Sequence, residues 1–578
     1  MNAINSINNK PEATSPDKHL GFTLTKMLLG YGVEYIFGIP GGQTLPLYDA
    51  TYAYRENIKH ILVRDERSAG HMASAYSRIS GKLGVCDATV GPGATNLPSA
   101  LGEALNSSTP MIAIIGDHPV SWINKVEYGR ASQGMDQIGM LEPVTKKVIY
   151  VPCQESLPEL VRTVFLEATT GRPGPVALVI PADVFKQSGS INDQEAYIDP
   201  SLNQFPNRRT SPDPTDIAHA ATILLKAKRP VMLLGGGALI SGAGKEAQEL
   251  AELLPMPIIH SITGKGTIPD NHYLMMGVVG IFANSPSAET ALREADVVFL
   301  VGFKSSQSSS FAWTVPTLEQ KVIHLDIDPS EVGRIFRTDI GLVGDAKLGL
   351  RGLVDAVKDS EPKNNTDKNW LIHLGTMKSQ WEDKKSALFS AEAKPIKPHR
   401  VIGTLNKVLD PEDILVCDAG FATGWGAVYY SQRIAGRHSL YPRGLAGLGY
   451  AVAAGVGAQL AAPHHRVVTL AGDGGFTYSM AELATQAHLN LPIINIVLNN
   501  SSFGWVKWAE QAWYSGSFSA SDLQPINFAK VAEGLGCVGI TVEQPEELES
   551  VLLQALDLNK PVVLEVVTDS ESTPNVKS

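Results

Sequence analysis

Asp473 and Asn500 stand 27 positions apart, an acid in the turn "AGDGGF" and an amide at the end of "IINIVLNN". The run "RVVTLA" before the first is apolar and reads as a strand, and "IINIVL" (493–498) reads as the next one. Between them Met480, Leu483, Ala484 and Ala487 recur at helical spacing. Ser479 and Glu482 match the S-x-x-E capping pattern, so a helix is expected to begin there, and Pro492 marks its end. In such a strand–helix–strand unit the carboxyl ends of both parallel strands face one edge of the sheet. Asp473 and Asn500 can therefore reach a single point in the crevice where α/β proteins bind ligands. One carboxylate, one amide oxygen and a backbone carbonyl form a hard oxygen site of low charge, suited to Mg²⁺ completed by phosphate oxygens. Amides at a helix start favour the same anion, and Gly472, Gly474 and Gly475 let backbone come close to it. Taken singly, Asp-Gly and Asn-Asn are common turn residues. Their joint placement around one unit is what points to a metal-bound phosphate.

The elements needed to hold such a site recur along the whole chain. Short apolar runs such as "HILV" (60–63), "PMIAIIG" (110–116) and "GPVALVIP" (174–181) alternate with helical patterns, the signature of parallel α/β units. The 578 residues exceed what one core serves. The expected partition is a tail over 1–18, a domain over 19–190, a linker over 191–209, a central domain over 210–357, a charged linker over 358–394, a third domain over 395–570 and a tail over 571–578. The expected fold is α/β with three doubly wound parallel-sheet domains. A net charge of −11 argues against nucleic acid as a partner. The four cysteines are scattered with no metal-binding spacing, and the polar start "MNAINSINNKPEATSPDKHL" has no signal-peptide core. No run approaches the ~20 apolar residues of a bilayer span, so the expectation is a cytoplasmic protein without membrane partners.

GDG followed by the second asparagine of an NN pair at this distance resembles the fingerprint of thiamine diphosphate enzymes. The segments appear in the order of the acetolactate synthase, pyruvate oxidase and benzoylformate decarboxylase group, closest to acetolactate synthase-like large (catalytic) subunits, over roughly residues 19–570. That resemblance implies a pyrimidine-binding, a central Rossmann-like and a diphosphate-binding domain. It implies thiamine diphosphate and Mg²⁺ as cofactors, with Asp473, Asn500 and the backbone carbonyl of Ser502 as metal ligands. Gly472, Gly474, Gly475, Gly504 and Trp505 would surround the cofactor, and "DAGFATGW" (418–425) would meet its diphosphate through Gly420 and Thr423. Leu448, in "RGLAGLGYAVAAGVGAQ", falls where the family places a bulky apolar residue under the bent cofactor. Glu66, in "HILVRDERSAGHMASAYSRISGKLGV", matches the family acid. A carboxylic acid bonded to the pyrimidine nitrogen favours the imino tautomer, which removes the thiazolium C2 proton; surroundings of low dielectric would help it keep its own proton. Pro92 and Asn96, in "GPGATN", match the next turn of that domain. Gly42 of the Pro-Gly-Gly loop and Gln133 match active-site positions of the acetolactate synthase branch. In the family the two ends of the cofactor are held by different subunits, which implies a homodimer or a dimer of dimers with the active site at the subunit interface.

Some positions depart from the pattern. Phe421 and Ala422 replace a Gln-His pair of the diphosphate loop, leaving Thr423 to make that contact. The segments "FKSSQSSSF" (303–311) and "GVVG" (277–280) differ from the family's flavin segment and count against FAD in the central domain, although "VIHLDIDPSEVGR" (322–334) resembles it. Trp508 lies one position early for the family's pocket tryptophan, with Ala509 in its place. His71 reads as a helix-face histidine. The function implied is decarboxylation of a 2-oxo acid followed by carboligation to a carbonyl acceptor. A non-oxidative 2-oxo acid decarboxylase, or an acyloin or 2-hydroxyacyl lyase, is the alternative. From another class, the turn "LLGGGALISG" allows a flavin- or nicotinamide-dependent oxidoreductase, though Leu239 and Ile240 interrupt the G-x-G-x-x-G spacing. A thiamine fold reduced to a binding or regulatory subunit is a further reading, opposed by the joint presence of Glu66, Asp473 and Asn500.

Overall fold

A computed structural model describes residues 19–188, 197–360 and 365–574. The expected N-terminal tail 1–18, linker residues 191–196 and the last four residues of the C-terminal tail lie outside the described residues. Three six-stranded sheets follow one another along the chain, and every strand pair is parallel. The first contains β1 (Tyr35–Gly38), β2 (Lys59–Leu62), β3 (Gly84–Ala88), β4 (Met111–Asp117), β5 (Lys147–Tyr150) and β6 (Pro175–Pro181), in the order β2-β1-β3-β4-β6-β5. The second contains β7 (Pro230–Leu234), β8 (Ile258–His260), β9 (Met275–Val278), β10 (Val297–Val301), β11 (Lys321–Asp326) and β12 (Ile340–Val343), in the order β12-β11-β10-β7-β8-β9. The third contains β13 (Ile414–Cys417), β14 (Ser439–Leu440), β15 (Val467–Gly472), β16 (Ile493–Asn499), β17 (Val538–Val542) and β18 (Val562–Val567), in the order β14-β13-β15-β16-β18-β17.

Continuous apolar runs make these strands because both faces of a parallel sheet are covered by helices. In the central sheet Met232 and Leu234 enter one core while Val231 and Leu233 enter another, and β10 divides its residues in the same alternating way. This is the doubly wound α/β arrangement expected for each of the three domains.

Compactness groups the chain into two units. The first runs to Asn207 and also includes Gly444–Pro463; the second comprises Arg208–Arg443 and His464–Ser578. The Gly444–Pro463 segment falls inside 395–570 by sequence, yet its helix Tyr450–Ala461 joins the first unit. Its sequence YAVAAGVGAQLA is apolar on nearly every side, as a helix buried all round requires. At Gly457 a Cβ would lie 2.0 Å from the Met72 carbonyl oxygen, so this close approach to the Glu66–Ser80 helix needs glycine.

The charged connector at 358–394 is not a loose crossing. It contains a 22-residue helix, Lys368–Phe389, capped by the Asp367 side chain on the amides of Asn369 and Trp370. Trp370, Leu374 and Trp381 are its buried anchors, and three such side chains hold an otherwise polar helix in place. Within the second unit Lys265 Nζ meets Asp270 Oδ2 at 2.6 Å, and the Gln432 amide donates to that same oxygen at 2.8 Å. Burial alone would raise the Asp270 pKa, but the Lys265 ammonium and His260 hold it well below the usual carboxylate range. Among the described residues no helix is long and apolar enough to cross a membrane, and the four cysteines are free.

Candidate active site

In the third sheet β15 and β16 run in register, with Gly472 opposite Leu498. Asp473 follows directly on β15 and Asn500 directly on β16, so both emerge at the same sheet edge. The helix begins earlier than the capping pattern predicts. Gly472 is the N-cap of Asp473–Thr477, and a short 3₁₀ turn (Met480–Glu482) leads into Leu483–His488. Ser479 caps nothing through its side chain, and Glu482 Oε2 accepts from the Thr485 hydroxyl at 2.7 Å. The glycine turn allows helical geometry to start at the aspartate itself, whose Oδ1 accepts the Gly474 N–H at 2.8 Å. The expected apolar face is also partly polar. Gln486 and Thr469 bond the side chain of Asn495, which donates in turn to Gln486 Oε1 at 2.8 Å and the Val562 carbonyl at 3.1 Å. This fully buried network fastens helix and strands beneath the site.

Asp473 is 3% exposed. Burial pushes its pKa up to about 6, against the pull of the backbone N–H groups of Gly474, Ser501, Ser502 and Asn500. A carboxylate solvated only by amides is one that a divalent cation would stabilise. Asn500 Oδ1 accepts from the Ser502 amide and hydroxyl, each at 3.1 Å. Asn499 serves the fold instead, donating to Glu565 Oε1 at 2.7 Å and to the Ile526 carbonyl at 3.0 Å. Among the described residues no group of three or more His, Cys, Asp or Glu side chains could hold a metal. Asp473 and the Asn500 amide oxygen are the oxygen donors at this edge that could hold a cation drawing further oxygens from a bound phosphate.

The glycines divide into two kinds. At Gly472 and Gly420 the Cβ direction is open, and Gly420 has φ +73°, a conformation that favours glycine. At Gly474 a Cβ would lie 2.4 Å from the Phe503 ring, and at Gly504 3.1 Å from Phe421 and 3.7 Å from Asn500 Nδ2. Phe421 thus stands beside the asparagine. The Trp505 ring lies 5.8 Å from Phe421, 5.0 Å from Phe282 and 5.0 Å from Trp508. Thr423, buried at 1% exposure, donates its hydroxyl to the Asp418 carbonyl at 2.7 Å. Only its lone pairs remain for another partner. Gly475 is buried within the same first helical turn.

The first unit carries the acid. Glu66 opens the helix Glu66–Ser80, whose cap is Asp65, accepting the Arg67 amide at 2.7 Å. The Glu66 side chain is 7% exposed and takes a hydrogen bond from Asn96 Nδ2 to Oε2 at 2.9 Å. Pro92 and Asn96 bound the short helix Pro92–Asn96, where a Cβ at Gly93 would approach Glu66 Oε1 to 3.1 Å. Gln133 is exposed, with φ +63°, and its backbone carbonyl closes on Gly91. The buried glutamine of that segment is Gln137, which accepts the Gly91 amide at 3.4 Å and donates to the Gly116 carbonyl at 3.0 Å. Gly42 is exposed with open space around it, while its neighbour Gly41 packs on Thr89. Leu448 is half-buried in the loop before Tyr450–Ala461.

Asp87 is a buried group that escaped the sequence reading, and His71 is a helix-face histidine that turns out to be buried. Asp87, fully buried on β3, accepts from the Tyr48 hydroxyl at 2.7 Å and pairs with His60 Nε2 at 2.7 Å. An aspartate interrupting the apolar run "GVCDATV" was the available signal. His71 is 2% exposed, its ring edge-on to Tyr450 at 5.2 Å, and neither ring nitrogen finds a hydrogen-bond partner among the described residues. Burial and then Arg67 lower its pKa to about 3, so it stays neutral.

The glycine turn of the central domain is closed. Gly235 N–H donates to the Val301 carbonyl at 2.9 Å and Gly237 N–H to the Gly302 carbonyl at 3.0 Å. These two amides are spent on the neighbouring strand end and lend no support to the nucleotide-dependent oxidoreductase.

Comparison with known proteins identifies the family. The N-terminal TPP binding domain of thiamine pyrophosphate enzymes matches residues 18–140, their central domain 217–353 and their C-terminal TPP binding domain 418–566. A probable acetolactate synthase large subunit of Methanocaldococcus jannaschii is 36% identical over 567 residues, 96% of this chain and 92% of that protein. The acetolactate synthase isozyme 3 large subunit of Escherichia coli is 31% identical over 557 residues, 94% of each chain. The chain belongs to the thiamine pyrophosphate enzyme family, alongside the acetolactate synthase large subunits.

Proposed function

We propose that this protein is a Mg²⁺-dependent thiamine diphosphate carboligase of the acetolactate synthase type, acting on a 2-oxo acid and a second carbonyl compound. The observation that carries the reading is the convergence of Asp473, Asn500 and Ser502 at one sheet edge, in a chain that also buries Glu66 against Asn96. Asp473, the Asn500 amide oxygen and the Ser502 carbonyl would hold the metal, and the 472–475 turn would border the diphosphate. Glu66 presents a proton to the pyrimidine nitrogen, with Asn96 fixing the other carboxyl oxygen. Leu448 would lie under the cofactor, and Gly42 and Gln133 would border its reacting end. When bound, thiamine diphosphate supplies the carbon nucleophile that lets a 2-oxo acid lose CO₂ and pass on its acyl unit. The protein contributes orientation and exclusion of water, which is why its site needs few acids and bases. FAD stays possible but doubtful in this reading, because the flavin segment departs from the family.

The acid half lies in one compact unit and the metal half in the other. The reading has them meet across two copies of the chain, in a dimer or a dimer of dimers in the cytoplasm. Protein loaded with thiamine diphosphate and Mg²⁺ is incubated with pyruvate, with other 2-oxo acids and with added aldehydes, and products are read by NMR. A 2-hydroxy-3-oxo acid is expected. Free aldehyde alone would favour the plain decarboxylase, and inertness toward every 2-oxo acid would reject both. Glu66→Gln should retain cofactor and slow C2 proton exchange by orders of magnitude; exchange at the wild-type rate would remove Glu66 from this role.

A further inference from the structure

His118 stands directly after β4, at the carboxyl end of the first sheet, where α/β proteins bind their ligands. It is 5% exposed, and its Nε2 is buried with no hydrogen-bond partner among the described residues. An unpaired buried polar atom is costly, and native folds seldom keep one without a use. The ring is held in place. It stacks on Trp122 with centroids 5.9 Å apart, and the His118 amide donates to Asp117 Oδ1 at 2.7 Å. Trp122 is 44% exposed, so the imidazole lies under a surface aromatic and not in the middle of the core. His71, also unpartnered, differs in lying within a helix, packed on Tyr450.

The same sheet edge carries Glu66, and the residues between the two touch in sequence. A Cβ at Gly116, two residues before His118, would lie 2.9 Å from the Gln43 Cβ. Gln43 Oε1 accepts from the Thr89 hydroxyl at 2.9 Å. A Cβ at Gly93 would lie 3.0 Å from the Thr89 methyl and 3.1 Å from Glu66 Oε1. Next to Gln43, the Cβ direction of Gly42 is open. His118 and Glu66 thus belong to one compact unit and to one half of the site. Carboligation needs an acid besides Glu66, whose proton is committed to the pyrimidine nitrogen. As the new carbon–carbon bond forms at the acceptor's carbonyl carbon, the C=O π pair moves onto oxygen, which must gain a proton. We propose that His118 is the acid for this step, donating from Nε2 to the carbonyl oxygen of the acceptor. The imidazole recovers a proton when the hydroxyl of the transferred acyl group becomes the ketone of the product. This rests on the carboligase reading above.

The test uses holoenzyme with thiamine diphosphate and Mg²⁺, and pyruvate as both donor and acceptor. First-turnover CO₂, read by rapid quench, counts the competent sites, and ligated product is then followed by NMR. His118→Gln keeps a polar N–H but has no proton to give. Its ligation rate per competent site should fall about a hundredfold. In His118→Ala, added imidazole should restore that rate by about tenfold or more. A further readout needs no turnover. In holoenzyme carrying ¹³C at histidine Cε1, the His118 signal is the one missing from His118→Gln. It should move when lactate is added, since lactate has a hydroxyl where the acceptor has its carbonyl. Unchanged ligation in His118→Gln would overturn the proposal, as would a loss that imidazole does not rescue or a ring signal that lactate leaves in place. Wild type that releases no CO₂ would instead overturn the carboligase reading, and the proposal with it.

Discussion

His71→Leu tests whether a buried neutral histidine makes the first unit acid-labile. The ring is 2% exposed and has no hydrogen-bond partner among the described residues. Burial disfavours the imidazolium, so the pKa falls from 6.5 in the unfolded chain to about 3 in the fold. As pH drops, the unfolded chain takes up the proton first. The neutral ring's contribution is therefore complete above about pH 6.5 and is lost as pH falls through that value toward the folded one. At pH 5 the unfolded histidine lies about 1.5 pH units below its pKa, which at 1.36 kcal/mol per unit costs about 2 kcal/mol. That figure does not depend on the folded value as long as it stays well under 5. Domains are commonly stable by only about 5–15 kcal/mol, so the effect is large. Leucine has no group to protonate. The variant should match or slightly exceed the wild type at pH 7.5, where removing two unpartnered nitrogens offsets any packing loss. Its advantage should then grow by about 2 kcal/mol at pH 5. Urea titrations at both pH values, read by amide exchange of the 66–80 helix, measure this directly. Stability curves of the two proteins that stay parallel within about 0.5 kcal/mol would refute the argument.

Three further outcomes are expected. Asp473→Ala should abolish Mg²⁺-dependent retention of thiamine diphosphate on gel filtration, and retention equal to wild type would remove it from the metal site. Asn495→Leu removes the bonds from Asn495 to the Val562 carbonyl and to the Gln486 side chain in the core. It should cost about 2–4 kcal/mol in urea unfolding, and a loss below about 1 kcal/mol would show that the network is dispensable. Gly38→Ala places a methyl 2.0 Å from Asp87 Oδ1, against a carboxylate locked by Tyr48 and His60. It should lower the melting temperature of the first unit by several degrees or prevent folding, whereas wild-type stability would mean the triad yields freely.

Much of the architecture was legible because parallel strands buried on both faces announce themselves as continuous apolar runs. The Asp473–Asn500 unit was legible for a related reason: turn chemistry and strand chemistry alternate there without interruption. What escaped was set by contacts distant in sequence. Ser479 and Glu482 match a cap, but a Gly-Gly turn upstream starts the helix first. The helix within the charged 358–394 linker escaped because its three anchors, Trp370, Leu374 and Trp381, are diluted by charges. The polar groups at Asp87, Gln137 and Asn495 each find partners on other elements, which local pattern cannot display. Gln133 and Gly42, which the resemblance marks, are both exposed in the single chain.

The segment Gly444–Pro463 has a consequence for how the protein is made. The first compact unit is discontinuous, and its last helix is encoded about 250 residues after the rest of it. At ~5–20 residues per second, a ribosome needs roughly 13–50 s between finishing Asn207 and delivering Pro463. During that interval the Glu66–Ser80 helix lacks the glycine-bearing surface that covers it. The scaffold of Glu66 is therefore completed only after the whole central sheet has been synthesised. A chain cut between the two segments would leave that nascent half as a substrate for chaperones.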